Sequence, residues 1–302
     1  MRRTMAVAAV LLALGLAAGG AEAAKVRVVA SLPDLKALTE AVGGDLVDVD
    51  TLARPAQNPH DIEVRPSLML KLRRADLLVR NGVGVDPWVE PLVVGSQNSG
   101  ILPGAAGYVD ASRGVRIIEP TGPVDRSRGD VHPEGNPHYT LDPATADVVT
   151  ANILDGLKRV APELAERFEA QRRQFLERLQ AAMQRWQPAL APARGARVVT
   201  YHEIFTYFLA RFGLVQAGAI EDRPGIPPSP SHLAALIRTI REERVRAIVA
   251  EPFADQRTVQ LVARESGARV VALPASVGAA RGTDSYIDFI DHLVTRLAEA
   301  LR

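Results

Sequence analysis

The chain has 302 residues, with 36 basic and 35 acidic side chains, six histidines and no cysteine. Its near-neutral charge excludes the basic surface with which proteins bind nucleic acids or anionic membranes. Without cysteine there are no disulfides and no thiolate metal sites, so any metal site must use imidazole and carboxylate groups. The length suits two domains of ordinary size.

Residues 1–23 have the pattern of a secretory signal peptide. Arg2 and Arg3 precede an uncharged stretch over 5–18, and an A-x-A cleavage site ends at Ala23. The stretch is shorter than the ~20 residues of a membrane span, although a retained N-terminal anchor is the alternative. Removal of this segment lowers the formal charge from +1 to zero. Because the chain has no cysteine to carry a lipid, we expect an exported, soluble protein without a lipid anchor.

The rest of the chain alternates short apolar runs with amphipathic stretches, which predicts an α/β fold with mainly parallel sheets. We assign residues 24–155 to an N-terminal α/β lobe and residues 191–302 to a C-terminal α/β lobe. Similar apolar runs open both lobes, which indicates a related topology. In chain order, the first lobe is predicted to contain strands at 26–31, 46–52, 76–81 and 115–118 and helices at 35–42 and 66–74.

A long helix is predicted to link the lobes within residues 156–190. No glycine or proline interrupts the chain between Pro162 and Gln187, and apolar residues recur at helical spacing. Pro188 is then expected to break the helix. Such a helix would be a stiff connection, although it could instead be a surface helix of one lobe. The second lobe is predicted to contain strands at 197–201, 214–219, 247–251 and 269–273 and helices at 204–212, 231–241, 255–266 and 285–301.

Three histidines occupy similar positions in loops that border predicted strands and helices. His60 and His138 each end an Asn-Pro-His tripeptide, whose proline stiffens the backbone that presents the imidazole. His202 directly follows a predicted strand. Each histidine alone could be a loop or capping residue. Three at equivalent positions in facing lobes favour a shared metal ion.

The second lobe offers a carboxylate, Asp284, just before the last predicted helix, where a helix N-cap is the alternative role. Three imidazoles and a carboxylate form a tetrahedral shell suited to Zn²⁺, whereas octahedral, carboxylate-rich sites favour Mn²⁺. Glu251 and Asp142 are candidates for orienting the ligand histidines, and Glu251 is an alternative direct ligand. The other histidines are interpreted as a solvated or metal-capturing loop residue (His132), a capping-region residue (His232) and a structural helix residue (His292).

These motifs resemble the zinc/manganese solute-binding proteins of bacterial ABC importers, the group with a rigid helix between two lobes. The resemblance covers essentially the whole mature chain. It implies metal ligation by His60, His138, His202 and Asp284. Members that carry manganese tend to have a carboxylate in place of His202, so this histidine favours zinc. The matching segments are Asn58-Pro59-His60, Asn136-Pro137-His138 with Leu141-Asp142-Pro143, Tyr201-His202-Glu203 and Asp284-Ser285-Tyr286.

The resemblance implies a monomeric periplasmic protein that captures Zn²⁺ and delivers it to an inner-membrane ABC permease. A periplasmic zinc metallochaperone is a candidate donor, although the chain lacks the long histidine-rich loop of many zinc-specific members. The alternatives are a Mn²⁺- or Fe²⁺-binding protein of the same importer class, a surface adhesin and a secreted zinc hydrolase. A hydrolase needs an open metal position, and Thr206 stands where the second histidine of its helix motif would lie. We therefore expect no enzymatic activity.

Overall fold

The computed structural model describes residues 25–119, 133–223 and 225–302. The predicted signal peptide and His132 lie outside these ranges. Two parallel four-stranded sheets with flanking helices form two lobes, and a long helix lies between them. The predicted two-lobed α/β fold is confirmed. Within the described ranges, every helix is too short or too polar to cross a membrane.

The N-terminal sheet has the strand order β2-β1-β3-β4. Its central strands β1 and β3 are mostly apolar because helices cover both faces of the sheet, and their two arginines, Arg27 and Arg80, lie at the ends of the buried stretches. The elements are β1 (Val26–Ala30), α1 (Pro33–Gly43), β2 (Val47–Thr51), α2 (Pro66–Arg73), β3 (Leu77–Arg80), α3 (Val89–Ser96) and β4 (Tyr108–Asp110).

The fourth strand of this sheet differs from the prediction. The strand expected at 115–118 is wrong, because β4 pairs with β3 earlier in the chain, where Leu78 is opposite Tyr108. The backbone at Ile118 bonds to other partners: its N–H donates to the Tyr207 hydroxyl (2.8 Å), and its carbonyl accepts from the Asn136 N–H (2.8 Å). The apolar alternation at 115–118 therefore reflects packing against the core beside the sheet.

Two helices precede the second lobe, α4 (Ala146–Val160) and α5 (Ala165–Leu190). The 26 residues of α5 correspond to ~39 Å at 1.5 Å per residue. Its buried face includes Phe168, Phe175 and Trp186. Pro188 lies inside the last turn of α5, and the helix ends only two residues later, at Leu190, so the predicted break falls slightly later in the chain than expected.

The C-terminal sheet repeats the topology, with the order β6-β5-β7-β8. Its strands are parallel, and Thr200 of the central strand lies opposite both Ala219 and Val249. The carboxyl ends of three adjacent strands therefore meet at one edge. The elements are β5 (Arg197–Thr200), α6 (Thr206–Arg211), β6 (Val215–Ala219), α7 (Pro230–Glu242), β7 (Ala247–Ala250), α8 (Gln256–Ser266), β8 (Arg269–Ala272) and α9 (Tyr286–Leu301).

One hydrophobic core runs through both lobes, because α5 packs on α1 of the first lobe and on α9 of the second. A buried polar contact adds to this connection. The Asp34 carboxylate, at the start of α1, accepts from the Val277 N–H of the second lobe (2.8 Å) and from the Thr140 hydroxyl (2.9 Å). The Tyr286 hydroxyl donates to the Thr140 carbonyl at 2.6 Å. The lobes are thus joined by continuous packing and by buried hydrogen bonds.

Candidate metal centre

His60, His138 and His202 converge in the cleft between the lobes. One ligand nitrogen from each lies within 4.8 Å of those of the other two. Their ring centroids are 5.3 to 5.7 Å apart and the rings are nearly perpendicular to one another. His138 and His202 are buried, and His60 is half-buried. Three imidazoles that approach from different directions, largely out of water, can bind a single ion.

The two Asn-Pro-His tripeptides form the same local turn. The Asn58 side chain accepts from the His60 N–H at 3.1 Å, and the Asn136 side chain accepts from the His138 N–H at 3.0 Å. Such Asx turns are a common conformation of asparagine, and the intervening proline fixes the backbone dihedral between the two residues. Each imidazole is therefore presented by a turn that its own sequence stabilises.

Both turns are held by the loop that follows β3. The indole N–H of Trp88 donates to the Pro59 carbonyl at 2.9 Å. The Asn81 amide donates to the Pro137 carbonyl at 3.1 Å. In each case the bonded carbonyl belongs to the proline immediately before the histidine. One loop of the first lobe thus fixes the positions of both histidine turns.

The His138 turn also contacts the second lobe. The Asn136 amide donates to the Glu203 carbonyl at 2.9 Å, and the Tyr207 hydroxyl donates to the Asn136 carbonyl at 2.9 Å. Since Glu203 directly follows His202 in the chain, these bonds connect the backbone segments of two candidate ligands.

His202 follows β5 at the carboxyl edge of the second sheet, between two glutamates. Nδ1 of His202 lies 3.1 Å from an Oε2 oxygen of Glu221, which follows β6. Glu251 follows β7 on the other side and is 1% exposed. Among the described residues, its carboxylate oxygens have no hydrogen-bond partner. Burial raises the pKa of Glu251 to about 7, an effect that His202 opposes and Glu221 reinforces.

The predicted carboxylate ligand does not join the histidines in this structure. Asp284 is exposed, and within the described part of the chain the candidate ligand group consists of His60, His138 and His202 alone. Asp284 precedes Ser285, whose side chain caps α9. The carboxylate of Asp142 accepts from Arg211 at 2.6 and 2.7 Å and from the Ala144 N–H at 2.9 Å.

The remaining described histidines lie elsewhere. His232 is in the first turn of α7, where its N–H donates to the capping Ser229 hydroxyl and its ring contacts the Ala219 carbonyl at 2.9 Å. His292 is within α9, and burial lowers its pKa. Both positions match the sequence interpretation.

Sequence reasoning missed three residues that surround the histidines: Asn81, Trp88 and Glu221. Glu221 had a detectable signal, because it comes just after a predicted strand, as His202 does, and Glu251 ends another. Asn81 ends a predicted strand, but nothing in the sequence pairs it with Pro137. The hydrogen bond of Trp88 depends on the fold of a loop that has no recognisable motif.

Comparison with known proteins agrees with this geometry. A family model described as "ZnuA: Zinc-uptake complex component A periplasmic" matches residues 28–300. The High-affinity zinc uptake system protein ZnuA of Paracoccus denitrificans is 28% identical over 312 aligned positions, which cover 96% of each chain. The Zinc-binding lipoprotein AdcA of Streptococcus pneumoniae is 25% identical over 253 positions, which cover 82% of this chain.

The chain spans about half the length of AdcA, since the match covers 50% of that protein. Among solved structures, the solute-binding protein FpvC of Pseudomonas aeruginosa in complex with Mn²⁺ superposes with a TM-score of 0.77 at 25% identity. That superposition covers 92% of this chain and 98% of FpvC.

Proposed function

The chain belongs to the ZnuA family, the periplasmic component A of zinc-uptake complexes, and we propose that it captures Zn²⁺ in the interlobe cleft for an ABC-type importer. The observation that carries the proposal is the convergence of His60, His138 and His202. Neutral imidazole nitrogens are preferred zinc ligands, and three of them leave one position of a tetrahedral shell for a further ligand.

We propose Asp284 as the carboxylate that completes this shell. Since Asp284 is exposed here, it would reach the ion only after the segment before α9 moves toward the histidines. Gly282, two residues earlier, has φ of +77°, and a Cβ there would have no neighbour within 4 Å. Thr283, between these two residues, is buried, and its hydroxyl donates to the Ala280 carbonyl (2.7 Å) while its carbonyl accepts from the Gly278 N–H (2.7 Å), so the movement would have to carry this turn with it.

Release of the ion would also use local loop movement around His138 or Asp284. The long α5 and the core that it shares with both lobes oppose a wide rotation of one lobe against the other. Because a protonated imidazole cannot bind metal, protons compete with the ion for the same nitrogens.

The remaining features of the proposal follow from the family. We propose a monomeric protein of the periplasm that docks on an inner-membrane ABC permease, with a periplasmic zinc metallochaperone as a candidate source of the ion. A solute-binding role requires no catalytic group, and we propose that the protein is not an enzyme. The predicted signal peptide at 1–23, cleaved on export, is part of this proposal.

Isothermal titration of the chelator-stripped protein with Zn²⁺ tests the function. We expect one tight site, with binding strongly weakened in His60→Ala, His138→Ala and His202→Ala. His292→Gln is the matched control, because this histidine lies within α9 outside the candidate site. Absence of 1:1 binding, or equal binding by the three alanine variants and the control, would refute the proposal.

Two further titrations separate the alternatives. Mn²⁺ is the first competing metal to test, because FpvC is described in complex with it; binding of Mn²⁺ in preference to Zn²⁺ would favour the manganese alternative. Asp284→Ala tests the fourth ligand and should weaken zinc binding less than loss of a histidine does. Hydrolytic turnover that disappears in Glu203→Gln would instead support the secreted hydrolase.

A further inference from the structure

Three titratable side chains stand side by side at the carboxyl edge of the second sheet. Sheet pairing continues one residue beyond the strands, because the Tyr201 N–H donates to the Val249 carbonyl (2.8 Å) and the Glu221 N–H donates to the Tyr201 carbonyl (2.9 Å). The next residues along this edge bring His202 between Glu221 and Glu251. The order β6-β5-β7 thus sets a histidine between two glutamates.

The two glutamates differ in how they meet the imidazole. Oε2 of Glu221 lies 3.1 Å from Nδ1 of His202, with side-chain exposures of 16% and 8%. The ring is at hydrogen-bonding distance but not aligned for a hydrogen bond. The other oxygen of Glu221, Oε1, accepts from the Gly225 N–H at 3.2 Å. The carboxylate is therefore held by its own loop while its second oxygen faces the ring.

A neutral imidazole has one N–H and one lone pair, and a neighbouring carboxylate decides which nitrogen carries the proton. In metal-binding histidines the N–H of the second nitrogen commonly donates a hydrogen bond to such a carboxylate, and this bond fixes both the tautomer and the ring orientation. Glu221 lies within hydrogen-bonding distance of Nδ1 of His202, where such a carboxylate is required. The nitrogen that remains for an ion is Nε2.

We propose that Glu221 is the positioning residue of the metal site: it holds the proton of His202 on Nδ1 and directs Nε2 toward the ion. This inference rests on the proposed metal-binding function of the cleft. A small rotation of the ring aligns the Nδ1–H with Oε2 when Nε2 binds the ion. Glu221 is not itself a ligand in this arrangement.

In this arrangement a side chain, rather than a turn, fixes the orientation of His202. His60 and His138 lie in Asx turns that the Trp88 and Asn81 side chains hold. His202 instead precedes a short 3-10 turn, Glu203–Phe205, with no side-chain cap. An orienting carboxylate supplies the constraint that the Asn-Pro-His motif supplies in the first lobe.

The test combines ring ¹⁵N NMR with zinc titration, in the full chain, for Glu221→Ala, Glu221→Gln and the control Glu243→Gln. Glu243 pairs with Arg197 at 2.9 Å, at the opposite end of β5. At about pH 8, where imidazoles are neutral, metal-free wild-type protein should show His202 protonated on Nδ1. Zinc should then bind Nε2 of the same ring.

Glu221→Ala should mix the two tautomers of His202 and weaken zinc binding about 10- to 100-fold, the usual effect of removing such a partner. Glu221→Gln, whose amide oxygen can still accept the Nδ1–H, should keep more of both properties. Glu243→Gln should change neither. A thermal unfolding midpoint for each variant identifies a loss of affinity that comes from misfolding.

Zinc bound through Nδ1 of His202, or a tautomer and affinity unchanged in Glu221→Ala, would overturn the proposal. Failure of the proposed function gives a different result, since wild-type protein would then bind no zinc. The tautomer of His202 in the metal-free protein and its response to Glu221→Ala would still report on the positioning role.

Discussion

The buried Asp34 carboxylate should make the stability of the protein depend on pH in a way that Asp34→Asn abolishes. Burial raises its pKa from 3.8 to about 6, although the Val277 N–H and the Thr140 hydroxyl lower it. This difference of about two pKa units corresponds to ~3 kcal/mol, at ~1.4 kcal/mol per unit. The energy is large because the carboxyl is buried at the contact between the lobes.

The direction of this pH dependence follows from the number of protons that the folded and unfolded states bind. Between about pH 4 and pH 6 the folded protein keeps the Asp34 proton while the unfolded chain has lost it, so unfolding releases a proton. The free energy of unfolding therefore falls as the pH rises through this window. Above it, the folded protein carries an unfavourable buried charge whose cost stays constant with pH.

Urea unfolding at a series of pH values measures this effect as the difference between wild type and Asp34→Asn. The asparagine amide has the same shape and can still accept from Val277. We expect the variant to gain ~3 kcal/mol relative to wild type between about pH 4 and pH 7. Asp45→Asn is the control, because Asp45 is exposed. A difference between wild type and Asp34→Asn that is constant with pH would refute this reasoning.

Two predictions concern the metal site itself. Zinc affinity should fall as the pH drops through ~6.5, because the three ligand imidazoles must be neutral to bind; equal affinities in titrations at about pH 7.5 and 5.5 would contradict the imidazole ligands. Trp88→Phe should lose the hydrogen bond to the Pro59 carbonyl and weaken zinc binding several-fold, which corresponds to ~1 kcal/mol. Trp186→Phe loses a comparable bond, to Asp291 at 2.9 Å, and should reduce stability without changing zinc affinity; equal affinity losses in both variants would contradict a role of Trp88 in holding the His60 turn.

Much of the site could be predicted because its chemistry is local in sequence. An Asn-Pro-His tripeptide specifies its own Asx turn, so the presentation of His60 and His138 follows from three consecutive residues. His202 was predicted from its place at the end of an apolar run. The strand alternation with amphipathic helices likewise predicted the two-lobed α/β fold.

The features that were missed depend on contacts between distant segments. Glu221 reaches His202 only because β6 pairs with β5, and a single sequence does not specify which strands are neighbours. The strand predicted at 115–118 has the right alternation, but its backbone bonds to Tyr207 and Asn136, which lie far along the chain. The role of Asp284 as a ligand stays a prediction, because its side chain is exposed and is not among the converging histidines.

The loop after β3 holds the carbonyls of Pro59 and Pro137 through Trp88 and Asn81, so in the proposed metal site the two imidazoles of the first lobe would act as a preassembled bidentate chelator. An ion that meets the first imidazole finds the second already in place, so the entropy of arranging that pair is lost during folding rather than at capture. The second lobe would then complete the coordination of the ion through His202.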